Sequence, residues 1–343
     1  MLATCLKVPR EKAESIRRRL IESGLLDISF RIKGQGEFIL IPVVSKEIDC
    51  EYEFVEEELQ SQEKTETDYK NIVKMPAELK DYLPASYDII GEVIIIKLDE
   101  ELQEYRNEIG NALLKVHPNI STVAEDRGVK GELRVRDLNI IAGKDKTETM
   151  HTEHGVRLLL DPAYVYFNPR LATERHRITS LVKDDEIVVD MFAGVGPYSV
   201  MIAKYAKPKI VFSMDLNPYA IDYLKKNIEI NKVENIIPLE GDSAAMIHDL
   251  PPADRIIMNL PHSAHEFFYD ALTCLNPGGT IHFYTICERD SLDSVFAKLS
   301  MQARSMGSKI TIDRLEELKT YSPTMSVYSA DIRFSDLDLV EDW

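Results

Sequence analysis

From residue 186 onward the chain alternates short apolar strand-like runs with helical ones, and the first run closes in "DMFAGVG". Strand and helix repeated in this way imply a parallel, doubly wound sheet with helices on both faces. "EIVVDMF" (186–192) reads as the first strand and "PYSVMIAKYA" as a helix with Pro197 at its start, where a missing N–H does no harm. "KIVFSMDLN" is the second strand and "PYAIDYLKKNIEIN" its helix, while "IIPLEGD" ends the third strand at Asp242. "ADRIIMNLP" ends the fourth at Pro261; "EFFYDALTCL" is helix, "PGG" a turn and "TIHFYTIC" the fifth strand. After one more helix, "KITIDRLEEL" and "MSVYSADIRF" read as a closing antiparallel pair.

Open α/β sheets bind ligands beyond the carboxyl ends of their strands. Here those ends carry Asp190, Phe192, Gly194 and Gly196, then Asp215 and Leu216, then Asp242, then Asn259 and Pro261. The two glycines let the backbone turn tightly and approach a ligand without an intervening side chain. The loop lacks the third glycine of a dinucleotide fingerprint, having Ser199 there, which weakens a nicotinamide reading. A carboxylate at the end of the second strand suits a ribose diol, so Asp215 is placed for that role, and Asp242 could accept from an adenine amino group. Aspartates also cap helices and turns, and each alone would be read that way. Together with the glycine loop they favour S-adenosylmethionine.

Two segments precede this region. Residues 1–65 read as a small α+β unit, with "MLATCLKVP" and "GEFILIPVV" as strands, a helix over "EKAESIRRRLIES", and a polar linker of poor order at "EEELQSQEKTETD". Residues 73–170 read as a β-rich middle domain. It has a hairpin over "YDIIGEVIIIKL", an amphipathic helix over "EELQEYRNEIGNALLKVHP", and strands at "GELRVRDLNIIAG", "TETMHTEHGVRLLLD" and "YVYFN". Residues 171–343 are the doubly wound domain.

Charge bears on the partner. The chain carries 58 acidic against 41 basic side chains, a formal net charge of -17, which is awkward for a nucleic-acid binder. The charges are segregated, however: acids gather at 49–68 and at the C-terminal "SDLDLVEDW", while "YFNPRLATERHRI" (166–178) holds one acid, Glu174, among Arg170, Arg175, His176 and Arg177. Four scattered cysteines, Cys5, Cys50, Cys274 and Cys287, form no C-x-x-C pair. That fits a reducing compartment and argues against a structural metal, and His151 with His154 lacks the further ligands a metal needs. With no apolar run near membrane-spanning length and no signal-like start, a cytoplasmic protein is expected, and no segment demands an obligatory protein partner.

"KGELRVRDL", "YFNPRLATERHRI", "VVDMFAGVGPYS", "MDLNP" and "NLPH" occur in the order and spacing of the archaeal and eukaryotic-type tRNA (guanine-37-N1)-methyltransferases, which the whole chain resembles. "DMFAGVGPYS" marks only the broader methyltransferase group; "YFNPRLATER" with "NLP" is far more specific. The resemblance implies a class I (Rossmann-like) methyltransferase sheet preceded by a β-rich middle domain and a small N-terminal domain that touches the outer corner of the tRNA. It implies methylation of N1 of guanosine 37 beside the anticodon, with Glu174 as general base. Arg134 would stabilise charge on the guanine oxygen, and Tyr166 and Asn259 would belong to the pocket. Arg136, Arg170, Arg175 and Arg177 are then expected to contact tRNA. One departure is His262 after Pro261, where the family often has lysine.

The chemistry is consistent with these residue types. Guanine N1 bears a proton, so its attack on a methyl group needs a base within hydrogen-bond reach. Loss of that proton places charge on the guanine oxygen, for which a fixed guanidinium is suited. Arg134 and Arg136 share a strand face, and periodicity cannot choose between them. Burial would raise the pKa of Glu174 and its arginine neighbours would lower it, an outcome the sequence leaves open. A related transferase acting on wyosine-type bases at the same position is the alternative.

Overall fold

The computed structural model describes residues 1–336 apart from 47, 49, 62–66, 132, 134 and 323. The chain divides into a first compact unit, Met1–Lys74, and a second that begins at Met75.

In the first unit the strands Leu2–Pro9, Lys33–Gln35, Phe38–Pro42 and Glu53–Glu58 form an antiparallel sheet with Leu2–Pro9 between Phe38–Pro42 and Glu53–Glu58. The helix Ala13–Glu22 lays Leu20 on Leu6, Val8 and Ile41. One expectation needs correction. The acidic stretch 56–68 is not all linker, because its first three residues end the strand Glu53–Glu58, which pairs with Leu2–Pro9, and Leu59 is buried beside Cys5 and Leu40. Alternating Phe54, Glu56 and Glu58 with Val55 and Glu57 gives one half-buried strand despite the charge. Residues 62–66 of the supposed linker lie outside the described residues.

The second unit opens with a four-stranded sheet in the order Asp88–Ile90, Val93–Ile96, Thr122–Lys130, Val135–Gly143. Gly91, at φ +54, makes the expected hairpin turn, and a Cβ there would strike Thr149 Oγ1 and the Met150 carbonyl. The helix Arg106–Val116 buries Ile109, Ala112 and Leu113. Thr122–Lys130 was not anticipated; its outer half, polar and carrying Gly128, hides the strand signal. The hairpin Thr149–Glu153/Val156–Leu160 puts Leu158 and Leu160 into one apolar cluster with Val188 and Leu224.

"YVYFN" is not a strand. Asp161 captures the chain first: its carboxylate accepts from Ala163 N at 3.0 Å, and its carbonyl accepts from Tyr164 N and Val165 N. A tight turn followed by an irregular segment results.

The large sheet runs Ile236–Glu240, Ile210–Asp215, Ile187–Asp190, Ala253–Met258, Leu275–Glu288, Met325–Asp336, Ser308–Thr320. The first five strands are parallel and the last two form the antiparallel closure read from the sequence. Val189, Met191, Ile256, Met258, Ile281 and Phe283 build one apolar layer with Phe268, Leu272 and Phe296 of the flanking helices. Numbered along the chain, this order is 3-2-1-4-5-7-6, with the chain reversing direction between the first and fourth strands, where a crevice opens at the carboxyl ends. "PGG" is absorbed into the long strand Leu275–Glu288. No helix among the described residues is long and apolar enough to cross a membrane.

Candidate active site

At the crevice the glycine loop is braced by the second strand. Gly194 has φ +54, and its N–H donates to Asp215 Oδ2 at 2.7 Å, while Asp215 Oδ1 accepts from Asn217 N at 2.9 Å. Each carboxylate oxygen keeps a second lone pair for a ribose hydroxyl. A Cβ on Gly194 would meet only the Tyr166 carbonyl, at 3.7 Å, so the loop leaves open space on that side. Gly196 serves a different end: at φ +83 its missing Cβ lets the helix Pro197–Tyr205 close against Leu224, whose Cδ1 would stand 2.3 Å away. Asn217 caps the next helix through Tyr219 N and ties it to the Tyr164 carbonyl.

Asp190 lies beneath the loop. Its Oδ2 accepts from Ser199 Oγ at 2.7 Å, and Oδ1 has no partner among the described residues. Burial, reinforced by the charge of Asp215 and only partly countered by Ser199, pushes its carboxyl up to about 7. Asp242 is exposed and caps the short helix Ser243–Met246 through Ala244 N, the role aspartates commonly take, leaving its second oxygen available. Leu216 is 60% exposed at the second strand's end, and Phe192 sets its ring edge against Phe267. The glycine cradle, a carboxylate two lone pairs short of saturation and exposed apolar flanks fit the adenosyl group of S-adenosylmethionine.

Tyr166 stands beside this loop, 53% exposed, with Arg136, Asn168 and Tyr321 around its hydroxyl. The Tyr321 ring meets His262 edge-on at 5.8 Å. Asn259 follows the fourth strand half-buried, and its amide has no hydrogen-bond partner among the described residues. Arg134 lies outside the described residues. Arg136 donates to Asp88 at 3.0 Å and Asp126 at 3.4 Å, and Arg170, half-exposed, donates to the other Asp88 oxygen at 2.8 Å. Lys319 faces the same cluster, its ammonium pushed down by burial and by Arg170.

Two expected tRNA contacts require correction. Arg175 is 1% exposed, and its guanidinium is spent on Glu153 and the Asn168 carbonyl, with the Phe167 ring below it. Arg177 is committed to Glu174 and Asp331. Both stand on the inward side of the helix Ala172–Leu181, so neither presents its charge to a phosphate.

Glu174 is 6% exposed and saturated on one oxygen: Oε1 accepts from Arg177 Nη2, Tyr284 OH and Ser329 Oγ at 2.8–2.9 Å. Among the described residues Oε2 accepts only from Arg177 Nε, at 2.7 Å. Burial pulls this carboxyl upward, but Arg177 and the two hydroxyls outweigh it and hold it below the usual glutamate range. Tyr198, in the first turn after the glycine loop, donates to Tyr284 OH at 3.0 Å, so a hydroxyl chain runs from the loop helix to Glu174. Glu174 shares no hydrogen bond with Tyr166, Asn259 or Arg136. Sequence reasoning missed Tyr284, Ser329, Asp331 and His282, which arrive on strands more than a hundred residues downstream; only their alternation on the two strands marks them.

The strand order, the braced glycine loop and the polar groups at the strand ends define a class I methyltransferase. A family model described as "TRM5/TYW2 methyltransferase domain" matches residues 149–311; "TYW2 N-terminal domain" matches 70–147 and "tRNA methyltransferase 5 N-terminal domain" matches 5–51. The chain belongs to the TRM5/TYW2 methyltransferase family. It is 44% identical to the tRNA (guanine(37)-N(1))-methyltransferase Trm5b of Pyrococcus abyssi over 97% of this chain and 100% of that protein. The solved complex of aTrm5 with tRNALeu superposes with a TM-score of 0.71 at 35% identity, covering 96% of this chain and 99% of that one. The Methanocaldococcus jannaschii TYW2 structure with AdoMet gives a TM-score of 0.57 at 28% identity, covering 74% of this chain and 100% of that one.

Proposed function

We propose that this protein methylates N1 of guanosine at tRNA position 37, using S-adenosylmethionine, with Glu174 as general base. The observation that carries the reading is the end-to-end 44% identity to a guanosine-37 N1-methyltransferase, joined to a site whose residues suit that reaction. S-adenosylmethionine supplies an electrophilic methyl on a sulfonium that loses its charge as the methyl departs. The protein's residues do the rest. Asp215 and the 194–196 loop hold the adenosyl end, and Asn259 offers its amide to the purine edge. Tyr166, Tyr321 and His262 supply ring faces for a target base turned out of its stack. Arg134 or Arg136 meets the charge developing on the guanine oxygen.

Glu174 is ionised throughout the neutral range, which a base must be. It is a weak one. It therefore takes a proton that the forming N–C bond is already acidifying, and Oε2, with a single donor, is the oxygen with room to take it. Arg170, half-exposed, serves as a phosphate contact. We propose a functional organisation in three parts, 1–65, 73–170 and 171–343, with the first part meeting the outer corner of the tRNA.

A second reading rests on the 70–147 match to a TYW2 N-terminal model: group transfer to a wyosine-type base at the same position. The two are separated by offering labelled cofactor to tRNA with guanosine or a wyosine-type base at position 37, with an adenosine-37 transcript alongside, and identifying the nucleoside by mass spectrometry. N1-methylguanosine from the guanosine-37 tRNA alone is the expected result. Equal labelling of the guanosine-37 and adenosine-37 tRNAs overturns the assignment.

A further inference from the structure

Glu174 does not hold Arg177 alone. Arg177 Nη1 donates to Asp331 Oδ2 at 2.7 Å and Nη2 to Asp331 Oδ1 at 3.0 Å, while the same side chain grips Glu174 through Nε and Nη2. His282, directly opposite Asp331 in the strand pairing, sets Nδ1 at 2.7 Å from Asp331 Oδ1. On its other side Nε2 lies 2.7 Å from Arg255 Nη1, and Arg255 is held by Glu186 at 2.8 and 3.0 Å. Arginine can only donate, so Nε2 accepts and Nδ1–H donates to Asp331. The tautomer is thereby fixed, and burial pulls His282 below the usual imidazole range against the opposing pull of Asp331.

We infer that Asp331, oriented by His282, is a positioning residue that lets Glu174 gain and lose a proton by keeping Arg177 paired in both states. The inference rests on the reading of Glu174 as the base. With Asp331 present, two carboxylates share one guanidinium. When Glu174 takes the guanine proton, Arg177 and Asp331 remain a neutral pair. Without Asp331, the same proton transfer would leave a largely buried cation without a counter-charge, a state that folded interiors strongly resist. The groups facing Glu174 are Arg177 from its own helix, Tyr284 and His282 from Leu275–Glu288, and Ser329 and Asp331 from Met325–Asp336. Tyr198, behind Tyr284, completes the set. Asp331 is the only carboxylate among them, so its charge alone in this set favours protonated Glu174.

The test is single-turnover methyl transfer to a guanosine-37 transcript as a function of pH. Arg177→Gln should lift the acidic limb, set by Glu174, into the measurable range. Adding Asp331→Asn to that variant should bring the limb's midpoint down again by about one pH unit, the effect of a nearby like charge. An unchanged midpoint in the double variant overturns the role of Asp331. Asp331→Asn alone provides a second measurement in the event that Arg177→Gln does not fold. Turnover should fall about tenfold, the lower part of the range for impaired proton transfer, with cofactor and tRNA dissociation constants unchanged. Wild-type turnover in folded Asp331→Asn also overturns the inference. Glu174→Gln separates the two levels. If that variant is as fast as wild type, the base and this inference fall together; if it is slow while the midpoint stays put, only Asp331 is removed.

Discussion

Glu174 and Asp190 are both buried carboxylates near one cofactor loop, yet their surroundings send them in opposite directions. Glu174 has a guanidinium and two hydroxyls, so it stays ionised; Asp190 has one serine hydroxyl and a like charge nearby, so it tends to keep its proton. Glu174→Gln should lower methyl transfer about 100-fold, the loss typical of a missing general base, with cofactor affinity intact by isothermal titration. An unaltered rate would exclude it as the proton acceptor. For Asp190 the prediction is one of stability. Its folded value is raised to about 7 from an ordinary 3.8, so its stabilising contribution is complete below that ordinary value and disappears as pH rises through 7. Melting temperature should therefore drop between pH 5 and pH 8, and Asp190→Asn should flatten that slope. A slope equal to wild type in the variant would contradict the assignment. Arg175→Met leaves buried Glu153 with the His151 imidazole at 3.6 Å in place of its guanidinium, and a loss of about 3 kcal/mol is expected by denaturant titration, against almost none for Arg170→Met, where Arg170 is half-exposed and Arg136 still pairs Asp88.

At the scale of elements, the joint between the glycine loop and its helix is the most constrained. Gly196 combines a left-handed backbone with a helix crossing that leaves no room beside Leu224. Gly196→Ala should thus lower stability by more than about 1 kcal/mol and weaken cofactor binding together, because the same turn sets both. Gly278, also left-handed but with open space around it, should show the backbone strain alone and leave cofactor affinity untouched. Calorimetric melting with cofactor titration distinguishes the two; equal affinity loss at both glycines would mean the loop is not the binding element. The helix Ala172–Leu181 works differently. Its positions 174, 175 and 177 all turn inward, toward Tyr284, Glu153 and Asp331, which explains why a stretch that reads as a basic surface serves as an internal brace.

For the whole molecule, a net charge of -17 means that tRNA must be held by local positive groups against a repelling background. Affinity should fall about tenfold or more between 50 and 200 mM salt, measured by filter binding, as phosphate contacts release counterions. A flat salt response would place recognition in shape and base contacts instead. The sequence by itself determined the strand–helix alternation, the glycine loop and the acid after the second strand, because those depend on neighbours within a few positions along the chain. Tyr166, Glu174 and Asn259 became candidates through the family resemblance, and their roles are proposals. Sequence reasoning misread "YVYFN", where a turn anchored by Asp161 overrode strand propensity, and it took the acidic 56–58 end of a strand for linker because partner strands are invisible locally. Which arginines face inward, whether burial or ion pairing governs Glu174, and that Asp331 and His282 stand behind it were decided only by the tertiary structure. Those outcomes depend on strands 110 and 155 positions away coming into register against one helix, and electrostatic balance in an interior is set by what lies across space.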